Sequence, residues 1–543
     1  MEKSDPYDDM SKAAADVARV ENIEDNTMVV VNDADISYGK NGIPGLIGSP
    51  YVFGAALLAS LGGFSFGYDQ GVISIINVMP QFHAVFPRTE TAFGKSFMTG
   101  MLELGAFIGC LFMPALADRI SRKWALTVAV VIFNIGAIMQ TAAPNYAVLV
   151  AGRTIGGVGV GTLAMGAPIY ISELSPPNLR GTLLVLESIC IVSGVVISFY
   201  TTYGTRHIAS EASFRLPFGL QMVSATFLGV GLLFYPFSPR WLALVGRKEE
   251  CLQSLRRLRG LPETDPRVQA EYNAILTEVE VEKSIQEKHH PGVSGFKLEI
   301  LGWLDLLKKK TWRRTAVAVG ATFFQQFSGV NGFIYYAPTL FASLGQDPEM
   351  ALTMSGIFNI LQLVGVALCF VIIDHVGRRP LAIFGALGGA ITWGIMAVLT
   401  GIYSDDWSAN TSAGWAAVAM AFIFILIFGM SYSCLGWVLP AEVYTGSSRA
   451  KGVAMAVCVN WFCNFIVGVA TPPMLESIGF GMYVFYGSMC FLASIWAYFL
   501  IPETMGKILE QMDFVFGDNA AQEEREILET RVRRGVGADH GVV

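Results

Sequence analysis

Charged residues are scarce in this chain. Asp, Glu, Lys and Arg make up 15% of its 543 residues, whereas hydrophobic residues make up 53%. Soluble domains carry about 25% charged residues, so this composition excludes a soluble globular protein. It favours a membrane protein made of helices, because a helix satisfies its own backbone polar groups inside lipid.

Motifs for metal binding and catalysis are also absent from the sequence. The 8 Cys show neither metal-ligand spacing nor a disulfide framework. No phosphate-binding loop or catalytic triad is present, and the acidic net charge of −7 gives no indication of nucleic-acid binding. We therefore expect no enzyme, no metal and no organic cofactor.

Long apolar stretches dominate what remains. A helix needs roughly 20 residues to cross a bilayer, and the sequence predicts twelve spans of at least that length. They lie near residues 51–78, 95–117, 123–142, 146–173, 180–203, 214–236, 312–345, 350–373, 379–402, 412–439, 450–473 and 480–501.

One charged signature occurs twice between these spans. Asp118–Lys123 is repeated in kind by Asp374–Arg379. Downstream of each copy, a Glu is followed seven residues later by an Arg: Glu173 and Arg180, then Glu442 and Arg449. Such a repeat indicates a duplicated six-helix unit, and two facing units predict a transporter whose substrate site lies where they meet.

The duplication divides the chain into five segments. We predict a disordered cytosolic N-terminus over 1–50, a six-helix bundle over 51–236, a cytosolic helical linker over 237–311, a second six-helix bundle over 312–501 and a cytosolic tail over 502–543. Most of the 37 Lys and Arg then lie on the face that holds the linker and both termini. Cytosolic loops are enriched in these residues, so both termini are expected in the cytosol.

Several ionisable residues are predicted to lie inside the membrane, where charge is costly and usually functional. Asp69 of the first span and Arg153 of the fourth are expected to neutralise each other. A carboxylate that alternates between Arg and a proton can couple protonation to conformation; a static ion pair is the alternative. Glu103 and Glu187 are expected either to take part in function or to make polar contacts between helices.

The repeated signature predicts a cytosolic gate. Its Arg residues, Arg119, Arg122, Arg378 and Arg379, can reach Glu442 and Glu173 at neighbouring helix ends and form charge-assisted hydrogen bonds. Bonds that form in one state and break in the other would hold the outward-open form closed at the cytosolic side. Simple anchoring by positive charge is the alternative, but it does not explain the repeated acids.

Amide and aromatic side chains predict the substrate. The amides are Gln325, Gln326, Asn331, Asn359, Asn460 and Asn464, and the aromatic residues are Tyr335, Phe428, Trp437 and Trp461. Amides both donate and accept hydrogen bonds, and an aromatic face covers the C–H side of a sugar ring. The set therefore favours a neutral polyhydroxylated ligand, with inter-helix hydrogen bonding as the alternative role.

In combination, these motifs resemble the sugar porter family of the major facilitator superfamily, in its fungal monosaccharide transporter branch. The resemblance covers residues 50–506 and is carried by Gly67–Ile73, Gly152-Arg153, Glu173–Gly181, Gln325–Tyr336, Asp374–Arg379, Glu442–Gly452 and Pro502-Glu503-Thr504. It implies the major facilitator fold and alternating access around a central sugar site. By motif position, Gln325, Gln326, Asn331, Asn359, Trp437 and Asn460 would contact the sugar, and Asp69 with Arg153 would form the proton couple.

The sequence departs from the family pattern at several positions. Ser188 stands where the fifth span usually offers the sugar a Gln, and Ser121 stands where Gly is usual in the first loop signature. Phe237 replaces an acid, so one cytosolic ion pair is expected to be missing. Cys434 and Gly436 replace prolines of the tenth span, and Met505 replaces a Lys.

These observations predict a plasma-membrane uptake transporter for a hexose or pentose, with the proton as its coupling ion. The expected partners are a small neutral sugar and the lipid bilayer, and a monomer is expected to be the working unit. A facilitator, a carrier of a polyol, disaccharide or quinate-like acid, and a sugar sensor without transport are the alternatives. Asn410 lies in an N-glycosylation sequon in a loop predicted to be outside.

Overall fold

The fold is seen in a computed structural model. It describes residues 49–505 apart from 177, 310 and 445, together with residues 512, 515–518, 522 and 526. Within this part of the chain every regular element is a helix, which confirms the all-α class. The predicted N-terminal segment, apart from residues 49 and 50, and most of the C-terminal tail lie outside the described residues.

The first half contains six spans, which we number 1 to 6. They run over Pro50–Ile76, Ala92–Ile120, Arg122–Thr141, Tyr146–Leu174, Arg180–Thr205 and Ala212–Leu232. A short α-helix, Pro80–Val85, and a 3-10 turn, Pro87–Glu90, connect spans 1 and 2.

The second half contains spans 7 to 12, two of which are broken. Spans 8, 9, 11 and 12 are the single helices Pro348–Val376, Arg378–Tyr403, Gly446–Ile478 and Gly481–Leu500. Span 7 consists of Trp312–Phe327 and Val330–Ser343, and span 10 of Thr411–Met430 and Tyr432–Val443.

The two breaks divide the spans predicted over 312–345 and 412–439. Span 7 turns at Gly329, whose φ of +86° is a left-handed conformation open mainly to glycine. Span 10 turns at Ser431, whose φ of −130° and ψ of −92° are not helical. Both breaks put irregular backbone at membrane depth, which is tolerated where it lines a cavity or is buried in protein.

By length and composition, 10 helices of the described chain can cross a membrane. Span 6 and the two pieces of span 7 are not among them. The pieces of span 7 have 16 and 14 residues, each shorter than a full crossing. The break at Gly329 therefore leaves span 7 without a single helix long enough to cross a membrane.

The linker between the halves forms four helices, Pro239–Leu244, Lys248–Arg259, Pro266–His289 and Phe296–Asp305. Trp241, Cys251 and Leu255 are buried together in a small core of their own. Arg259 joins the linker to span 4 by donating a hydrogen bond of 2.9 Å to the carbonyl oxygen of Leu174. We call the side of the bundle that carries this linker the linker face.

Small residues let the spans of the first half approach closely. A Cβ atom on Gly157 of span 4 would lie 2.0 Å from the carbonyl oxygen of Leu102 in span 2, and one on Gly161 would lie 2.1 Å from that of Ala106. Inside lipid, close packing replaces the hydrophobic drive between helices. This contact holds span 4 and its Arg153 against span 2.

The two halves meet along spans 2 and 11 and along spans 5 and 8. Gly100 of span 2 lies against Val469 of span 11, and Gly356 of span 8 lies against Tyr200 of span 5. Residues from both halves contribute to the candidate site.

Candidate functional site

Asp69 and Arg153 form an ion pair inside the first half. Arg153 Nη1 lies 3.3 Å from Asp69 Oδ1, and the two side chains are 1% and 0% exposed. The other carboxylate oxygen of Asp69 has no hydrogen-bond partner in the described chain. One contact of this length leaves the Asp69 charge only partly satisfied.

Arg153 also holds the backbone of span 2. Its Nε donates to the carbonyl oxygen of Met98 at 3.0 Å, and its Nη2 donates to that of Thr99 at 3.4 Å. The guanidinium therefore links span 1, through Asp69, to span 2. A change in the charge of Asp69 changes the balance of these contacts.

Four of the predicted sugar-binding amides form one chain of hydrogen bonds beside the break in span 7. Gln325 accepts from Asn460 at 2.6 Å, Asn460 accepts from Gln326 at 3.0 Å, and Gln326 accepts from Asn331 at 2.6 Å. Gln325 also donates to the carbonyl oxygen of Tyr432 at 2.9 Å, next to the break in span 10.

This amide chain is suited to exchange partners with a polyhydroxylated ligand. Each amide offers both a donor and an acceptor, and hydroxyl groups offer the same. A sugar that enters can replace the bonds between amides with bonds of its own, so that no buried polar group is left unpaired. The broken backbone at Gly329 and Ser431 brings the amides and the Tyr432 carbonyl to one place.

Tyr335 lies outside the amide chain. Its hydroxyl donates to Glu103 of span 2 at 2.7 Å and accepts from Gln70 of span 1 at 2.9 Å. Asn464 of span 11 donates to Glu103 at 2.8 Å. We call Gln70, Glu103, Tyr335 and Asn464 the inter-half cluster, because two of its members come from each half.

The remaining predicted sugar contacts are dispersed. Asn359 of span 8 is fully buried, and neither amide atom has a partner in the described chain. Trp437 is half-buried and packs against the core of the first half. Ser188 is half-buried on span 5, next to the buried Glu187. Phe428 lines a separate cavity within the second half, and none of the four chained amides lines it.

On the linker face, the first copy of the repeated signature forms a closed set of contacts. Arg122 donates to Glu173 at 3.0 Å and to Asp118 at 2.7 Å. Ser238 donates to the second oxygen of Glu173. All of these contacts join spans 2, 3 and 4 to the start of the linker.

The second copy repeats this arrangement. Arg378 donates to Glu442 at 2.8 Å, and Thr504 donates to the other oxygen of Glu442 at 2.5 Å. Thr504 thus stands where Ser238 stands in the first half. Sequence reasoning missed both hydroxyls, although each lies two residues after a proline, Pro236 and Pro502, in a repeated position.

Both Arg–Glu pairs join residues of one half, so neither pair closes a gate between the halves in this structure. Each Arg begins a span whose neighbour in the same half ends at the Glu, which places the two groups side by side. Arg119 is exposed without an ion pair in the described chain, and Arg379 donates to the carbonyl oxygen of Tyr498 at 2.7 Å. Arg449 is half-buried, and the side chains of Arg180 and Asp374 lie outside the described residues.

Glu503 caps span 9 in the second half. It accepts from the backbone N–H groups of Arg378 at 3.0 Å and Arg379 at 3.1 Å. Burial raises the pKa of the Glu503 carboxyl, but the N–H groups of Met505, Arg378 and Arg379 lower it more, and the pKa lies below its usual range.

Phe237 occupies the equivalent place in the first half, and the expected ion pair is replaced by other contacts. The Lys123 ammonium lies 5.2 Å from the centre of the Phe237 ring. Ser121 takes over the capping of span 3, since its hydroxyl accepts from the Trp124 N–H at 3.2 Å. The two departures from the family pattern, Ser121 and Phe237, therefore belong together.

Asn410 lies at the start of span 10, on the face opposite the linker. It is half-buried, and its amide donates to the carbonyl oxygen of Asp406 at 3.0 Å. Its glycosylation stays a prediction.

Comparisons with known proteins show the family of the chain. The family model described as sugar (and other) transporter matches residues 55–516. The chain is 32% identical to the high-affinity glucose transporter of Kluyveromyces lactis, over 86% of this chain and 85% of that one. It is 31% identical to the quinate permease of Neurospora terricola, over 88% and 91% of the two chains.

A solved structure is also similar. The proton:xylose symporter XylE bound to 6-bromo-6-deoxy-D-glucose superposes with a TM-score of 0.70 at 27% identity. The match covers 86% of this chain and 99% of that one. The predicted fold of twelve spans in two halves is thereby confirmed.

Proposed function

The chain belongs to the sugar transporter family of the major facilitator superfamily, and we propose that it takes up a hexose or pentose together with a proton. Its relatives are transporters and not enzymes. The observation that carries the proposal is the buried Asp69–Arg153 pair of the first half, together with the chain of four amides in the second.

The amide chain supports a neutral sugar as substrate. Gln325, Gln326, Asn331 and Asn460 supply donors and acceptors without a net charge. Asn359 adds two amide atoms that are buried without partners in the described chain. A buried unpaired polar group is costly, so a ligand that supplies hydroxyl groups to these atoms gains binding energy.

The ion pair supports proton coupling. Protonation of Asp69 removes the charge that holds Arg153, and the guanidinium is then free to change its contacts with span 2. A proton that binds more tightly in one conformation shifts the transporter toward that conformation. In the proposed cycle Asp69 receives its proton from outside, sugar binds to the amides, the halves rock, and both are released into the cytosol.

The similar solved structure supports the same cycle, since it is a proton:xylose symporter. The glucose transporter of Kluyveromyces lactis supports a hexose as substrate. We place the linker face and both termini in the cytosol and the protein in the plasma membrane, because the Lys and Arg residues lie mainly on that face. The two halves of one chain enclose the proposed site, so a monomer suffices for transport.

A quinate-like acid is the second candidate substrate, and the similarity to a quinate permease favours it. A carboxylate ligand would require a cation in the site. Arg153 is engaged by Asp69 and by the backbone of span 2. We therefore rank the neutral sugar first.

Uptake in cells that lack their own sugar carriers tests the proposal. Labelled D-glucose, D-xylose, a polyol and quinate are supplied in turn to a weakly buffered suspension, and external pH is recorded with uptake. Uptake of one monosaccharide with alkalinisation of the medium is expected. Uptake of quinate alone would make a quinate-like acid the substrate in place of the sugar. Sugar uptake at constant pH would make the protein a facilitator. Surface protein that takes up none of the four would refute both candidates.

A further inference from the structure

A second buried acid lies between the two halves. Oε1 of Glu103 accepts from the Tyr335 hydroxyl at 2.7 Å, and Oε2 accepts from the Asn464 amide at 2.8 Å. Glu103 belongs to the first half, and its two donors belong to the second. Glu103 and Tyr335 are each 1% exposed, so their contact is sheltered from water.

Charge balance requires a proton in this region. Asp69 and Glu103 are both buried acids; Arg153 is in contact with Asp69, and its positive charge also acts on Glu103. With both acids ionised the group would carry a net charge of −1, which is costly inside a membrane protein. A single proton makes the group neutral. Because Arg153 is bound to Asp69 in this structure, the proton belongs on Glu103.

The other groups that face Glu103 do not remove this requirement. Span 7 presents the hydroxyls of Tyr335 and Tyr336, which are neutral when protonated. Span 11 presents Asn464, which does not titrate. Among the described residues, neither span supplies a second cation to the group.

The hydrogen bonds around Glu103 suit both protonation states. When the acid is ionised, Tyr335 donates to it. When the acid is protonated, its O–H donates to the Tyr335 oxygen, and the Tyr335 hydroxyl turns its proton to Asn464 Oδ1, which lies at 3.2 Å. The bond from the Asn464 amide to Glu103 is kept in both states. Rotation of one hydroxyl is therefore enough to pass the change to the second half.

We propose that Glu103 is a second proton-binding residue of this transporter, and that Tyr335 transmits its protonation state from the first half to the second. This inference rests on the proposed proton-coupled function. While Asp69 pairs with Arg153, the single proton is bound to Glu103. When Asp69 binds the proton instead, Arg153 neutralises the ionised Glu103. In either arrangement the two carboxylates together bind one proton, and the net charge of the group stays at zero.

The contacts of Arg153 provide the connection between the two acids. Arg153 donates to the carbonyl oxygens of Met98 and Thr99, and Thr99 lies one helical turn before Glu103 in span 2. Gln70, the residue after Asp69, donates to the Tyr335 hydroxyl at 2.9 Å. Two hydrogen bonds thus connect the surroundings of the two acids: Arg153, the partner of Asp69, reaches the helix of Glu103, and Gln70 reaches Tyr335, the partner of Glu103.

Infrared spectroscopy of the purified full-length protein tests the inference without the need for a substrate. The C=O stretching band of protonated carboxylic acids is recorded as the pH is raised, for the natural protein and for Glu103→Gln, Asp69→Asn and Glu187→Gln. We expect Glu103→Gln to remove one component of the band at neutral pH. Asp69→Asn is expected to remove the same component, because Arg153 then pairs with Glu103. Glu187→Gln, a change at another buried acid, should leave that component in place.

A band that is unchanged in Glu103→Gln would overturn the inference. Should that variant fail to fold, Tyr335→Phe provides the second test, since loss of the hydroxyl must shift the frequency of the Glu103 component. An unshifted band in Tyr335→Phe would also overturn it. This outcome can be told apart from failure of the proposed function. If the protein took up sugar without protons, the proposed function would fail, but the Glu103 component of the infrared band would be unchanged.

Discussion

Arg206 and Glu349 join the two halves on the face opposite the linker. Two guanidinium nitrogens of Arg206 donate to the two carboxylate oxygens of Glu349, at 3.0 and 2.7 Å. Arg206 follows span 5, and Glu349 begins span 8. The Tyr203 ring lies 4.3 Å from the Arg206 guanidinium and fixes its position. In the proposed orientation this face is outside, so the contact joins the two halves on the outer side.

Removal of this outer contact is expected to favour opening toward the outside. Glu349→Gln keeps the size of the side chain but loses the ion pair, and the apparent KM for external sugar should fall by a factor of a few. The effect is small because Glu349 is largely exposed, and it should be smaller still at high salt. Initial uptake rates measured over a range of sugar concentrations provide the check. Glu211→Gln, which breaks a pair with Arg215 inside the first half, is the matched control. Equal KM values in the two variants would show that the contact does not control opening.

Asn460→Ala is expected to weaken sugar binding. Asn460 links Gln325 to Gln326, and its loss removes a ligand group and leaves both amides short of a partner. Loss of about 1–2 kcal/mol corresponds to a rise in KM of roughly tenfold. The control is Asn134→Ala, since Asn134 bonds to Thr226 within the first half. If the two variants at equal surface expression have the same KM, the amide chain is not the sugar site.

The backbone of Ser121 is expected to be strained, and the hydrogen bond that its hydroxyl accepts is expected to offset part of the cost of that strain. Its φ of +94° and ψ of 156° match those of Gly377 in the second half, φ +90° and ψ 163°, a region open almost only to glycine. Ser121→Ala keeps the strain and loses the cap on Trp124, so it should lower stability by about 1 kcal/mol. Ser121→Gly loses the cap but relieves the strain, and it should be less destabilising.

Thermal unfolding of the two purified Ser121 variants compares these effects. The reverse order of stability would contradict the interpretation. Gly377→Ala cannot serve as a reference for strain alone, because a Cβ there would also lie 2.6 Å from Glu503 Oε2.

Glu503 is expected to stabilise the fold at neutral pH and to lose this effect in acid. Its pKa is lowered in the folded protein by the N–H groups that it accepts from, against the opposing effect of burial. A carboxyl with a lowered folded pKa stabilises above its unfolded pKa, about 4.3, and the contribution is lost as the pH falls through the folded pKa. Glu503→Gln should therefore unfold at a lower temperature than the natural protein at pH 7, and the difference should shrink below about pH 4. Glu476→Gln, a change at an exposed acid, should show neither effect. A difference for Glu503→Gln that does not depend on pH would show that the size and packing of the side chain matter and its charge does not.

The sequence predicts those parts of the site that follow from the cost of burying a charge. A buried acid needs a counter-charge, so the contact of Asp69 with Arg153 could be anticipated from two residues far apart in the chain. The repeated acids and arginines likewise predicted contacts at helix ends. The sequence does not determine which Glu each Arg contacts, since Arg122 and Arg378 could reach a Glu of either half. In the structure each Arg contacts the Glu of its own half.

Other parts of the site depend on tertiary packing that no spacing encodes. Asn331 and Tyr335 lie four residues apart on one helix, yet one joins the amide chain and the other reaches Glu103 and Asn464. Phe428 is near the break in span 10 but faces the interior of the second half. The Arg206–Glu349 contact joins the end of span 5 to the start of span 8, in different halves, so it depends on the conformation of the transporter as well as on its sequence.

The most direct test of the central claim is proton movement during sugar uptake in proteoliposomes that contain either the natural protein or Asp69→Asn. An internal pH indicator is read while D-glucose or D-xylose is added outside, and exchange of labelled sugar across the membrane is measured in parallel. We expect acidification inside with the natural protein, and with Asp69→Asn we expect sugar exchange without acidification. Equal acidification by both proteins, or none by the natural protein while it takes up sugar, would contradict the assignment of Asp69 and Arg153 as the proton couple.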